Sequence, residues 1–220
     1  MNSLKNTFEY LLDFIFPKSE LLKKIESLTS GELLNLLPHS REIDEKNTII
    51  LFDYRDKVVK DLIWEIKYKG NMKIASKLAE ILFDIIQVEV AERALFENFI
   101  NPLLIPMPTS DKRRRERGYN QTEIICEEIM KLDSQNLLEY NPRQLEKSVF
   151  TESQARTHAT KREREANLLN SINVSNALGI KGRCIILIDD VLTSGATFNE
   201  AKRALKGADA RKIICVALAH

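Results

Sequence analysis

Apolar positions recur at helical spacing from the start of the chain: Leu4, Phe8, Leu11, Leu12 and Ile15 share one stripe, and Pro17 ends it. That stripe suits core packing better than a membrane-surface anchor. Residues 19–37 read as one or two short helices broken around Ser30-Gly31 and closed by Pro38, packing through Leu21, Leu22, Ile25, Leu28, Leu33, Leu34 and Leu37. A polar linker, 39–46, leads to the short apolar run Thr48–Phe52, which suits a strand. Val58, Leu62 and Ile66, with Val59 and Ile63, then follow i, i+4 spacing in a helix ended by Gly70-Asn71. A longer helix starts near Met72 with Ile74, Leu78, Ile81, Leu82 and Ile85 inward. Leu103–Ile105 reads as a buried strand closed by Pro106-Met107-Pro108 and followed by a very basic loop. Ile124, Ile125, Ile129 and Leu132 mark another helix. Cys184–Ile188 is a continuous apolar run of the kind central parallel strands show, Ala201, Ala204 and Leu205 lie on a helix after it, and Ile213–Leu218 is a last strand. From residue 48 onward the alternation of strand and helix predicts an α/β domain with a mostly parallel sheet, preceded by a helical segment over 1–47.

Composition narrows this picture without naming a partner. In 220 residues, 33 Lys+Arg face 32 Asp+Glu, so the net charge is +1. A chain of this length buries roughly 70% of its unfolded surface and needs no covalent staples. Cys126, Cys184 and Cys215 are far apart, with no C-x-x-C pair and no His at ligand spacing, which argues against zinc and against a disulfide framework. The apolar runs are too short for a membrane span and the N-terminus lacks a signal-peptide pattern, so a cytoplasmic location is expected.

The strongest chemical signal is Ile185–Thr197: an apolar strand, the acid pair Asp189-Asp190, and the small hydroxyl-rich loop Thr193-Ser194-Gly195-Ala196-Thr197 opening a helix. Paired carboxylates at a strand end can accept hydrogen bonds from vicinal sugar hydroxyls or sit near a divalent cation. A loop of small residues at a helix N-terminus offers backbone N–H groups and hydroxyls to a phosphate. A response-regulator receiver also pairs acids at a strand end, but near the start of its domain; here only 30 residues follow Asp190. No P-loop or dinucleotide-binding glycine pattern occurs. A ribose-holding acid pair beside a phosphate cradle resembles the motif by which type I phosphoribosyltransferases bind 5-phosphoribosyl 1-diphosphate (PRPP).

Further stretches are similar to one subgroup, the ComF family of phosphoribosyltransferase-like proteins. They are Phe52-Asp53-Tyr54, Ile66-Lys67-Tyr68-Lys69-Gly70, Ile105-Pro106-Met107-Pro108, Arg115-Glu116-Arg117-Gly118-Tyr119-Asn120-Gln121, and Gln154 with Arg164 and Asn167. The resemblance spans residues 48–220 and implies a type I phosphoribosyltransferase fold, with Asp189 and Asp190 as catalytic residues holding the 2′ and 3′ hydroxyls. It assigns Thr193, Ser194, Gly195, Ala196 and Thr197 to the 5′-phosphate. By position it assigns Met107, Pro108 and Thr109, with Arg115 and Arg117, to pyrophosphate. Five cations in the six residues 112–117 fit that role, although contact with nucleic-acid phosphates or simple solvation would use the same charges. Gly118 reads as a backbone hinge and Asn120 as a helix cap. Residues 148–166 match the family's mobile loop, in which Gln154, Arg156, His158 and Arg164 are candidates; a lone loop His is also compatible with no role at all.

The resemblance implies Mg²⁺ bound with PRPP, near Asp189 and Asp190 but without a dedicated set of protein ligands. Two departures matter. Thr193 stands where 6-oxopurine salvage enzymes carry an Asp that handles the base's proton, which counts against hypoxanthine or guanine as acceptor. Phe16-Pro17 is followed by Lys18-Ser19-Glu20 rather than the family's usual cysteine-rich zinc module, so no zinc is expected, and a hood over the acceptor would have to come from residues 1–47. Two functions stay open: Mg²⁺-dependent transfer of a 5-phosphoribosyl group to an unidentified acceptor, or a non-catalytic role in PRPP sensing or single-stranded DNA handling of the competence type. The sequence leaves assembly, including a homodimer, open.

Overall fold

The computed structural model describes residues 20–40, 47–147 and 170–220, and the chain divides into two compact units, Met1–Leu36 and Leu37–His220. In the first, α1 (Glu20–Ser27) and α2 (Ser30–Leu36) bury Leu22, Ile25 and Leu33. The break falls at Leu28-Thr29 rather than at Ser30-Gly31. Thr29 and Glu32 form a reciprocal capping box, with the Thr29 N–H donating to Glu32 Oε2 (2.8 Å) and the Glu32 N–H to Thr29 Oγ1 (3.2 Å). Leu21, expected inside, is exposed. The expected helix over 4–16 lies outside the described residues.

The second unit is built on one parallel sheet, in the order β1 (Thr48–Phe52), β7 (Lys212–Ala219), β6 (Cys184–Val191), β2 (Leu103–Pro106) and β3 (Glu139–Tyr140). From β2 the chain moves outward to β3 on one side, and from β6 to β7 on the other. The direction of winding therefore reverses between β2 and β6, where open α/β sheets leave a crevice at the strand carboxyl ends. Both sheet faces are covered, which is why β6 and β7 read as nearly unbroken apolar runs. One face packs Ile105, Ile185, Leu187 and Cys215 against Phe198, Ala201 and Leu205 of α7 (Ala196–Gly207). On the other, α6 (Gln121–Leu132) packs on β2 and β6 and against α4 (Met72–Glu97). In α4 Ile74, Leu78, Ile81 and Leu82 are buried as expected, together with Phe83 and Ile86, while Ile85, also expected inward, is half-buried.

Three features were not anticipated. The basic stretch is a helix, α5 (Asp111–Arg117), rather than a loop. Ser110 caps it by accepting from the Arg113 N–H, Asp111 complements its positive end, and Gly118 closes it at φ 81°. The helix α3 (Lys57–Trp64) runs on into a single π turn, Glu65–Lys69, ended by Gly70 at φ 59°. A small antiparallel hairpin pairs β4 (Leu145–Lys147) with β5 (Ile172–Val174). No described helix is long and apolar enough to cross a membrane.

Candidate functional site

The Met107 N–H donates to the Ile188 carbonyl at 2.8 Å, so Met107–Thr109 leaves the sheet directly beside Asp189 and Asp190. The segment Gly118–Thr122 holds that chain in place. Asn120, 1% exposed, donates from Nδ2 to the Met107 carbonyl (3.0 Å) and caps α6 by accepting from the Thr122 N–H (3.2 Å). The Thr122 hydroxyl lies 2.9 Å from the same Met107 carbonyl and 2.8 Å from Asn120 Oδ1, and its one proton serves either. Tyr119 reaches the other way, donating to the Ile66 carbonyl (2.9 Å) in the π turn. A Cβ on Gly70 would meet the Tyr119 ring at 3.3 Å, so the turn needs glycine for its backbone angle and for this close approach.

Asp190 is the centre of these contacts. Its side chain is almost covered, and Oδ2 accepts from Lys67 Nζ (3.0 Å) and Gln121 Nε2 (2.7 Å). The Gln121 amide stands between an anion and a cation, because its Oε1 accepts from Arg117 Nη1 (3.1 Å), and this fixes which way it points. Asp189 is half-buried and accepts from the Asp190 N–H on Oδ1 (2.8 Å). Burial, then the neighbouring Asp190 charge, push its carboxyl up to about 7, against the weaker lowering effects of the Asp190 N–H, Lys67 and Lys147. Lys147 is held below the usual lysine range by burial and by Arg113, with Asp189 acting in the opposite sense.

On the far side of the acid pair, Thr193 and Ser194 are exposed and Gly195, at φ 74°, starts α7 without a side-chain cap. The Ala196 N–H meets the Ser194 hydroxyl at 3.5 Å, and the remaining first-turn N–H groups of this twelve-residue helix face whatever lies at the loop. Next to Pro108 and Thr109 opens a cleft of about 800 Å³, whose walls carry Arg114, Arg143 and Lys147 as well as Asp111, Glu123 and Glu127. Arg114 is committed to a two-pronged bond with Glu123 (2.9 and 2.9 Å). Arg117 is turned toward Gln121 and over the Tyr68 ring (4.8 Å), and Arg115 is exposed. Gln154, Arg156, His158 and Arg164 lie outside the described residues.

Against known proteins, a phosphoribosyl transferase domain model matches residues 139–220. The DNA utilization protein YhgH of Escherichia coli is 27% identical over 164 residues, covering 70% of this chain and 65% of that protein. Competence protein ComFC of Bacillus subtilis is 26% identical over 155 residues, covering 70% and 56%. The chain is similar to competence and DNA-utilization proteins of the ComF type, and its carboxyl-terminal part matches a phosphoribosyl transferase domain. Its fold is that of the type I phosphoribosyltransferases, a parallel sheet flanked by helices. A hypoxanthine phosphoribosyltransferase from Staphylococcus aureus aligns at a TM-score of 0.35 and 15% identity over 64% of this chain and 63% of its own. Because the match covers less than two thirds of these curated ComF relatives, their names transfer no activity.

Two residues that sequence reasoning quoted only as parts of motifs, Lys67 and Gln121, turn out to touch the acid pair. Among the described residues no group of three or more His, Cys, Asp or Glu converges as a ready-made metal site. The three cysteines are buried free thiols.

Proposed function

We propose that this protein, as a member of the ComF family it resembles, binds PRPP with Mg²⁺ in the crevice between β2 and β6 and transfers its 5-phosphoribosyl group to a nucleophilic acceptor. The observation that carries the reading is the adjacency of the Asp189-Asp190 pair to the uncapped, glycine-opened start of α7, one suited to a vicinal diol and the other to a phosphate. A divalent ion would take most of its oxygens from the ligand, and Asp189, whose ionisation is resisted by burial and by Asp190, is the carboxylate such a charge would relieve. In the transfer the acceptor's lone pair forms a bond to C1′ while the C1′–O bond to pyrophosphate breaks, and the bonding pair leaves on pyrophosphate. Positive side chains next to Thr109, including Lys147 and Arg143, are placed to receive that charge. Thr193 has no proton-accepting carboxylate, which keeps 6-oxopurines low among acceptors. Calorimetry with PRPP and Mg²⁺ tests the binding step: wild type gives heat and Asp189→Ala/Asp190→Ala gives none. Silence from a folded wild-type protein would sink the reading. Pyrophosphate release across a panel of nucleobases and amines tests turnover.

A second reading, handling of single-stranded nucleic acid, has its own observation. Trp64 and Tyr68 are 48% and 56% exposed, their rings 5.4 Å apart, with Lys69 over the indole (5.3 Å) and Arg117 over the phenol (4.8 Å). Exposed rings flanked by cations are a stacking surface for bases, and Lys112, Arg113 and Arg115 of α5 add charge for phosphates. Curated relatives are named for DNA utilization and competence. Salt-dependent binding of a single-stranded oligonucleotide, weakened about tenfold or more in Trp64→Ala/Tyr68→Ala, is the expected result. Unchanged affinity in that variant would remove the aromatic surface from consideration.

A further inference from the structure

We infer that Lys67 is a positioning residue of the site, fixing the Asp190 carboxylate so that its Oδ1 is presented to a sugar hydroxyl; the inference rests on the PRPP reading above. The argument starts from cost. Bringing an ammonium and a carboxylate out of water is expensive, and an apolar pair of the same size would stabilise the fold as well or better. Lys67 is nonetheless only 20% exposed and Asp190 8%. The backbone that carries the lysine is also the less favourable choice, a π turn inserted at the end of a regular helix, a feature that recurs at functional sites.

Several contacts serve to hold that turn. Lys69 returns to Glu65 (2.9 Å), Ile66 is buried, Gly70 takes a left-handed angle, and Tyr119 bonds the Ile66 carbonyl while lying against Gly70. With residues 66 and 69 tied down on either side, Lys67 reaches Asp190. The acid then receives two donors on one oxygen, Lys67 and Gln121, which together use the two lone pairs of Oδ2. Acceptor capacity remains on Oδ1. A carboxylate held this way cannot rotate to offer either oxygen at random, so a diol meets an acceptor of fixed direction, and the ordering cost is met before the ligand arrives.

A double-mutant cycle read by calorimetry, with ribose 5-phosphate and inorganic pyrophosphate as separate probes, tests this. Lys67→Met is expected to weaken ribose 5-phosphate about tenfold and pyrophosphate by less than about twofold, since only the sugar meets Asp190. Lys67→Arg, which keeps the charge, recovers most of the loss. In an Asp190→Asn background, Lys67→Met adds little, because its effect runs through Asp190. Thermal melts accompany each variant, and Lys67→Gln, which keeps a donor, replaces Lys67→Met in every arm if the latter does not fold. Equal weakening of both probes, unchanged sugar affinity, or additive losses in the double variant would overturn the role of Lys67. A folded wild type that binds neither PRPP nor ribose 5-phosphate would instead overturn the PRPP reading itself, and the inference with it.

Discussion

On the β2 side of the crevice the polar groups around Asp190 are paired within the protein: the Met107 carbonyl meets Asn120 and Thr122, Gln121 joins Arg117 to Asp190, and Tyr119 anchors the turn that supplies Lys67. On the β6–α7 side, Thr193 and Ser194 are exposed and the helix that Gly195 opens has no side-chain cap. The contacts that hold Asp190 are complete without a ligand, whereas the start of α7 is left for one to complete. Polar satisfaction thus separates residues that set geometry from residues that bind, even though both groups sit in the same crevice.

Substitutions can break that contrast. The largest effect is expected from Asp190→Ala, which strands Lys67 and Gln121 without their acceptor and costs about 3 kcal/mol in chemical denaturation. Asn120→Ala removes a helix cap and a buried bond to the Met107 carbonyl together and should lower stability by about 2 kcal/mol by the same measurement. Asp189→Asn should act in the opposite direction. The Asp189 carboxyl titrates at about 7 in the fold, above its ordinary 3.8, so its protonated form favours the folded state at low pH and that contribution is lost as pH rises toward and through 7. The amide variant escapes this loss. Its stability advantage of about 1 kcal/mol should appear at pH 8 and shrink toward pH 4 in parallel denaturation curves. On the open rim, Ser194→Ala should change stability by less than about 0.5 kcal/mol while weakening PRPP roughly tenfold by calorimetry. A large stability loss in Ser194→Ala would erase the distinction between the rims.

How much of this could be read from the chain alone follows the same division. The β6 strand, its acid pair and the loop to α7 are contiguous, so apolar run, carboxylates and small residues announced themselves together. The finished rim is assembled from residues far apart in sequence. Lys67 and Gln121 meet Asp190 across more than sixty positions, and no local period encodes that meeting. Asn120 was legible as a cap but not as the partner of Met107. The α5 helix escaped because its seven residues are all charged and form no apolar stripe, although Ser110 and Gly118 at its ends carried the signal. β3, β4 and β5 have two or three residues each, too few to show alternation. The break between α1 and α2 was misplaced by weighing Gly31 above the Thr29–Glu32 capping box.

The sheet order also has a consequence for how the molecule is made. Apart from an isolated bridge to His39, the described partner of β1 is β7, whose sequence begins about 160 residues after β1 ends. At roughly 5–20 residues per second of synthesis, β1 waits on the order of ten to thirty seconds for its neighbour. Over that interval Ile49, Ile50, Leu51 and Phe52 have no sheet to join, and a newly made chain is most exposed to aggregation or chaperone capture through its earliest strand.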